Sequence, residues 1–208
     1  MKKSSRRELK HTHLSKWVGF CLGIISTLFC ITNTVSATTA STTVSSVVAS
    51  VISLLTTDGT VNVDVIPSGV GTQTIASDTV TVSTSDTNGY TLQLAETGAG
   101  STMVSGSDTI PASSGTQASP VTMSVNTWGY RVDGVSGFGS GPTSGQSSGS
   151  IGSATFAAVP ATGSPNTIKT TSGTASNDTT TVWYAVAANT NQPSGTYTNS
   201  VTYTATAN

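Results

Sequence analysis

Residues 79–94 read TVTVSTSDTNGYTLQL, and this stretch decides the fold class. Val80 and Val82 alternate with Thr79, Thr81 and Ser83; Tyr90, Leu92 and Leu94 alternate with Thr91 and Gln93. Successive side chains of a strand point to opposite faces, so each half has one apolar face and one hydroxyl-bearing face. Threonine suits the solvated face, because its branched Cβ fits an extended backbone while its hydroxyl meets water. Between the halves stands Asn88-Gly89, a dipeptide that favours tight reversal.

The same period runs outward in both directions. Upstream, Val61, Val63 and Val65 alternate with Asn62 and Asp64, behind a turn at Asp58-Gly59. Downstream come Val121, Met123 and Val125; then Trp128, Tyr130 and Val132; a weaker pair at Phe156 and Val159; and Val182, Tyr184 and Val186. The last segment sets Tyr197, Val201, Tyr203 and Ala205 against even-numbered threonines, and Gln192-Pro193-Ser194-Gly195 reads as a hairpin joining it to the strand before. Val44–Leu55 fits either a first strand or a short helix, with its β-branched content favouring strand. These segments predict an all-β chain, an antiparallel β-sandwich of Greek-key or jelly-roll type with about eight to ten short strands. Long loops are expected at 98–120 and 133–153; the latter is rich in Gly and Ser, and Phe138 and Ile151 are its candidate pins to the body.

The amino terminus has a different character. Lys2, Lys3, Arg6, Arg7, Lys10 and Lys16 precede an apolar stretch, Trp17–Ile31, and then Val35-Ser36-Ala37. A basic start, a short apolar core and small residues at −3 and −1 describe a secretory signal peptide over 1–37, cleaved after Ala37. The apolar core falls short of the roughly 20 residues of a spanning helix. Ser5-Arg6-Arg7-Glu8-Leu9-Lys10 also resembles a twin-arginine export signal. An uncleaved leader would instead make the chain a membrane-tethered ectodomain. Residues 38–43 read as a flexible leading segment, and 44–208 as the sandwich domain.

Cleavage would strip most of the reactive side chains. Both cysteines, Cys21 and Cys30, and both histidines, His11 and His13, lie within 1–37. Of eight basic and nine acidic residues the leader takes six and one, leaving Arg131, Lys169 and eight acids, a net charge of −6. Such a surface lacks the cations that drive nucleic-acid binding, so DNA and RNA are excluded as expected partners. Without histidine or cysteine the usual bases, nucleophiles and zinc ligands are missing, and no catalytic residue or cofactor is expected. The remaining acids mostly sit in or beside turns, where they cap their own backbone.

Three groups of residues remain as candidates. Asp86 and Asn88 resemble part of a calcium loop, although an Asx turn accounts for the same spacing. Trp128, Tyr130 and Trp183 are candidate sugar-stacking residues. Because neighbouring strand residues face opposite ways, Tyr184 belongs to the core and Trp183 to the other face, either open or under a second layer. Lys169, flanked by Ile168, could cross-link to an asparagine through a carboxylate, or simply guard an edge.

The stretches TVSTSDTNGYTLQL (81–94), TWGYRV (127–132) and PSGTYTNSVTYTATAN (193–208) together resemble uncharacterised secreted bacterial surface proteins with one Thr-rich β-sandwich, distantly similar to WxL-type wall-associated or pilin-like domains. The Trp-x-Leu signature itself is absent, since Gly129-Tyr130 follows Trp128 and Tyr184-Ala185 follows Trp183. The resemblance implies an exported, non-enzymatic cell-surface protein, structural or adhesive, whose partner is a surface component, a glycan or a second copy. In the last case residues 38–50 could donate a strand. A secreted carbohydrate-binding module is the alternative.

Overall fold

The computed structural model describes residues 38–98 and 100–208. The leader, its cleavage point at Ala37 and the tethered alternative therefore lie outside the described residues. The described chain is all-β, with twelve strands: β1 (Ile52–Thr56), β2 (Thr72–Thr84), β3 (Tyr90–Glu96), β4 (Met103–Ser105), β5 (Asp108–Ile110), β6 (Val121–Thr122), β7 (Thr127–Arg131), β8 (Gln146–Ser150), β9 (Thr155–Phe156), β10 (Asn166–Thr170), β11 (Ala175–Ala188) and β12 (Val201–Ala207). Residues 38–51 are exposed and belong to no strand.

Two antiparallel sheets make the sandwich. One has the order β1-β2-β11-β7, with β8 pairing the first half of β2; the other is β10-β3-β12. The long strands β2 and β11 are its spine, in register from Thr84↔Ala175 to Thr72↔Ala188 with one irregularity between Ala175 and Asp178. The alternation of residues 79–94 becomes the main core: Val80 and Val82 from one sheet meet Tyr90, Leu92 and Leu94 from the other, all fully buried. Each such side chain contributes about 1.5–3 kcal/mol by leaving water.

The Asn88-Gly89 reversal does not close a hairpin. It carries the chain from the end of β2 in one sheet to β3 in the other. Asp86 Oδ1 accepts the Asn88 N–H at 2.8 Å, and Gly89 has φ +89°. A Cβ at Gly89 would collide with the Thr171 carbonyl, so steric and dihedral demands coincide. Gly89→Ala is expected to lower unfolding free energy by about 2–3 kcal/mol, seen as a lower urea midpoint with unchanged slope.

Several expectations are corrected. Gln192-Pro193-Ser194-Gly195 is also a crossing between sheets, because β12 pairs with β3 and not with β11. Tyr197 donates from its hydroxyl to the Pro193 carbonyl and accepts from Gln192 Nε2, which stabilises the connection without a ladder. Val44–Leu55 is neither a helix nor one strand: only Ile52–Thr56 pairs. Val61, Val63 and Val65 do pack inward, but no strand forms. Side chains serve that backbone instead: Thr74 Oγ1 donates to the Asp64 carbonyl, Thr72 Oγ1 donates to the Ile66 carbonyl, and Ser148 Oγ accepts the Ile66 N–H. The 98–120 loop contains the β4–β5 hairpin.

The 133–153 tract is pinned where expected, with Phe138 in the main core and Ile151 beside a second cluster, but it is not loop throughout. It makes a single 3-10 turn (Ser136–Phe138) and β8, then lies over the outer face of the β2–β11 half-sheet. There Ile75, Met123, Phe156, Ala185 and Ala187 form a second apolar cluster, flanked by Ile151, Ala154 and Trp183. The unbroken run Val182–Ala188 is thereby accounted for, since a strand covered on both faces has no polar side.

Candidate functional site

The aromatic candidates do not form a platform. β7 and β11 pair with Trp128 opposite Val186 and Trp183 opposite Arg131, which puts the two tryptophans on opposite faces of one sheet. Trp128 is 4% exposed and Tyr130 fully buried, both in the main core. Trp128 Nε1 donates to the Ser101 carbonyl at 2.6 Å. The Tyr130 hydroxyl donates to Gln117 Oε1 and accepts from Asn166 Nδ2, each at 2.8 Å. Burial outweighs the Asn166 bond and pushes the Tyr130 phenol up to about 12. Trp183 is half-buried against the second cluster. An open cleft of about 370 Å³ lies over the Gln117–Asn166 bridge, lined also by Gly115, Thr116, Ser136 and Pro160.

Asp86 and Asn88 form the Asx turn described above, and Asp86 N donates to Thr84 Oγ1. Among the described residues, no group of three or more His, Cys, Asp or Glu side chains comes together.

Charge pairing is what the sequence did not disclose. Arg131 is 5% exposed. Its Nε donates to Asp133 Oδ1 at 2.6 Å and to Thr143 Oγ1 at 2.7 Å. Nη1 reaches the Thr155 carbonyl and hydroxyl, and Nη2 the Ser140 carbonyl. The guanidinium carbon lies 5.9 Å from the centre of the Phe138 ring, which meets Tyr130 edge-on. Asp133 in turn accepts the Thr143 N–H and hydroxyl. Burial works to raise the Asp133 carboxyl, but the Thr143 bonds and the Arg131 bond and charge outweigh it and hold it below the usual carboxylate value. A Cβ at Gly141 would strike the Asp133 carboxylate, so the loop passes close only because that residue is glycine.

Lys169 meets Asp178, not an asparagine: Nζ donates to Asp178 Oδ1 at 2.6 Å and to the Thr179 carbonyl at 2.9 Å. Asp178 Oδ2 accepts the Tyr90 hydroxyl at 2.8 Å. Burial would raise the Asp178 carboxyl, yet the Lys169 and Tyr90 bonds and the Lys169 charge bring it below normal. Both partners keep more than a quarter of their side-chain surface in water, so the pair is worth little. A third node lies between the sheets: Asp78, 3% exposed, accepts the Thr57 and Asp58 N–H groups, and the hydroxyls of Tyr184 and Tyr203, one from each sheet, bond to each other at 2.7 Å. Three buried atoms lack a hydrogen-bond partner among the described residues: Gln73 Nε2, Glu96 Oε2 and Thr180 Oγ1. No described helix is long and apolar enough to cross a membrane.

No protein-family model matches this chain, and neither curated proteins nor solved structures give a match.

Proposed function

We propose that this chain is an exported, non-enzymatic protein of the cell surface, structural or adhesive in role. One observation supports the reading: both cations outside the leader, Arg131 and Lys169, are already paired within the fold, with Asp133 and Asp178. Asp78, Asp133 and Asp178 are occupied in the same way. Nucleophiles without a base beside them are poor catalysts. A rigid body with hydroxyl-rich faces and little reactive chemistry suits a load-bearing or binding surface. The basic leader with Val35-Ser36-Ala37 supports export.

Cell fractionation with intact-mass measurement tests this. The expected result is protein at the surface or in the medium, with a mass lacking residues 1–37. Accumulation in the cytoplasm with those residues retained would overturn the reading.

A further inference from the structure

Two unsatisfied features of this chain fit one another. The first is the edge of β12. Asn208 N donates to the Gly89 carbonyl and the Ser200 carbonyl accepts from Thr97, so even-numbered residues of β12 turn their backbone toward β3. In an antiparallel ladder the alternate residues then turn outward. The N–H and C=O groups of Val201, Tyr203, Ala205 and Ala207 accordingly have no partner among the described residues, because β12 pairs with β3 alone. The inward side chains of Val201, Tyr203 and Ala205 are only half-buried. β1 comes alongside β12 without a hydrogen bond, and its own inward residues, Ile52 and Leu54, are half-buried as well. Sheet edges are normally protected by lysine, proline or inward charge. Residues 196–208 contain none of these.

The second feature is the segment before β1. Val44, Val47 and Val48 are 89, 97 and 86% exposed, and residues 43–50 form no strand or bridge with the other described residues. The segment is uncharged and free of proline and glycine, and it is rich in the β-branched residues that favour strands. Its eight residues match the seven of β12 in length. Among the described residues, the first backbone bond tying the chain to β2 is at Val51, whose carbonyl accepts the Ser85 N–H, so residues 43–50 are not held in that sheet.

We propose that residues 43–50 of one copy add as a strand to the free edge of β12 in a second copy. The addition satisfies the outward backbone groups of β12, and one row of the donor covers the half-buried row of Val201, Tyr203 and Ala205. The valines leave water as they do so, which favours the association. Neither partner surface carries charge, so the net negative body imposes no local repulsion. Donor and acceptor are different patches of each copy, which makes the contact head-to-tail and the assembly extensible. This deepens the surface-assembly reading and rests on it for the setting in which copies meet.

Sedimentation velocity of the exported protein over a concentration series tests the inference, and its intact mass separately tests export. The wild type is expected to form oligomers that grow with concentration. Truncation of residues 38–50 leaves β1 intact and removes the donor, while Ala205→Pro removes an outward N–H and blocks the acceptor. Each variant alone is expected to lose at least about tenfold in association and run as a monomer. Mixed, they should form a one-to-one pair and nothing larger, because one retains the edge and the other the donor. Val47→Asp with Val48→Asp, which keeps chain length, should behave as the truncation does. Circular dichroism confirms that each variant is folded, and Ala205→Lys replaces the proline if it is not. A monomeric wild type at every concentration, variants that assemble like the wild type, or a mixture that fails to pair would each overturn the proposal.

Discussion

Arg131→Met is expected to lower unfolding free energy by about 3–5 kcal/mol, which in a domain of this size lowers Tm by roughly 10 °C or more. The guanidinium is almost fully buried and bonds to Asp133, Thr143, Thr155 and Ser140. Removing it strands the Asp133 carboxylate beside the loop with its main counter-charge gone. Replacing both, as Arg131→Met with Asp133→Leu, should recover part of the loss, because two apolar groups leave no orphaned charge. The damage should be local as well as global. The 133–153 tract is held by this node, by Phe138 and by β8, so its amides should exchange faster and proteases should cut there first. The pH dependence has a definite sign. Asp133 has a lowered carboxyl pKa in the fold, so its contribution is complete above the unfolded value of about 4 and is lost as pH falls through the folded value. The gap between wild type and Arg131→Met should therefore be constant near neutrality and narrow in acid. A gap that widened below pH 4 would contradict the pairing.

How much of this was legible beforehand depended on whether the signal was local. Period-two alternation at Val80/Val82 and Tyr90/Leu92/Leu94 is written in consecutive residues, and it placed the core correctly. The alternation Val201/Tyr203/Ala205 also held, but these residues are half-buried because they sit on an edge, and nothing in their spacing reveals an edge. Pairing partners are non-local, which is why Asn88-Gly89 and Gln192–Gly195 looked like hairpin turns and are crossings between sheets. Val61–Val65 alternates as a strand does, yet hydroxyls of Thr72, Thr74 and Ser148 took the place of a neighbouring strand. Arg131 and Asp133 are two apart and both unremarkable in sequence; their importance comes from Thr143 and Thr155, brought in by the loop. A signal for that second layer did exist. The run Val182-Trp183-Tyr184-Ala185-Val186 lacks a polar face, and a strand with no polar face must be covered twice. The same argument relocates Trp183 from a ligand platform to the flank of the second cluster.

Asp78→Ala is expected to cost about 1–2 kcal/mol and to loosen β1 first. The Asp78 carboxylate, on the inward face of β2, accepts the Thr57 and Asp58 N–H groups at 3.2 and 3.4 Å, just where β1 ends. Its charge also acts on Tyr203 of the opposite sheet and on Tyr184, whose hydroxyls are joined to each other. Alanine removes a charged acceptor from the end of β1, but the Thr57 N–H keeps its ladder bond to the Thr79 carbonyl, so the loss is that of a hydrogen bond to a charged group, about 1–2 kcal/mol. Asn at this position retains one acceptor oxygen and should cost about 1 kcal/mol. Tyr203→Phe should cost a similar amount, and the Tyr184/Tyr203 double-mutant cycle should show coupling, because both hydroxyls make the same bond. Hydrogen exchange provides the site-specific readout: the amides of Ser53, Leu55 and Thr57, which face β2, should lose protection before those of β11. Alkali provides a second. Burial, together with the Asp78 charge, raises the phenols of Tyr184 and Tyr203 above their ordinary value. Their contribution is complete below the unfolded pKa of about 10 and is lost as pH rises beyond it, so the wild type should weaken steeply above pH 10 and Tyr203→Phe less steeply. Since β1 flanks the open edge of β12, the Asp78 node also governs whether that edge keeps the shape a donated strand would meet. An Asp78→Ala protein that kept β1 protected and still assembled would show that the seam is held by apolar packing of Ile52 and Leu54 alone.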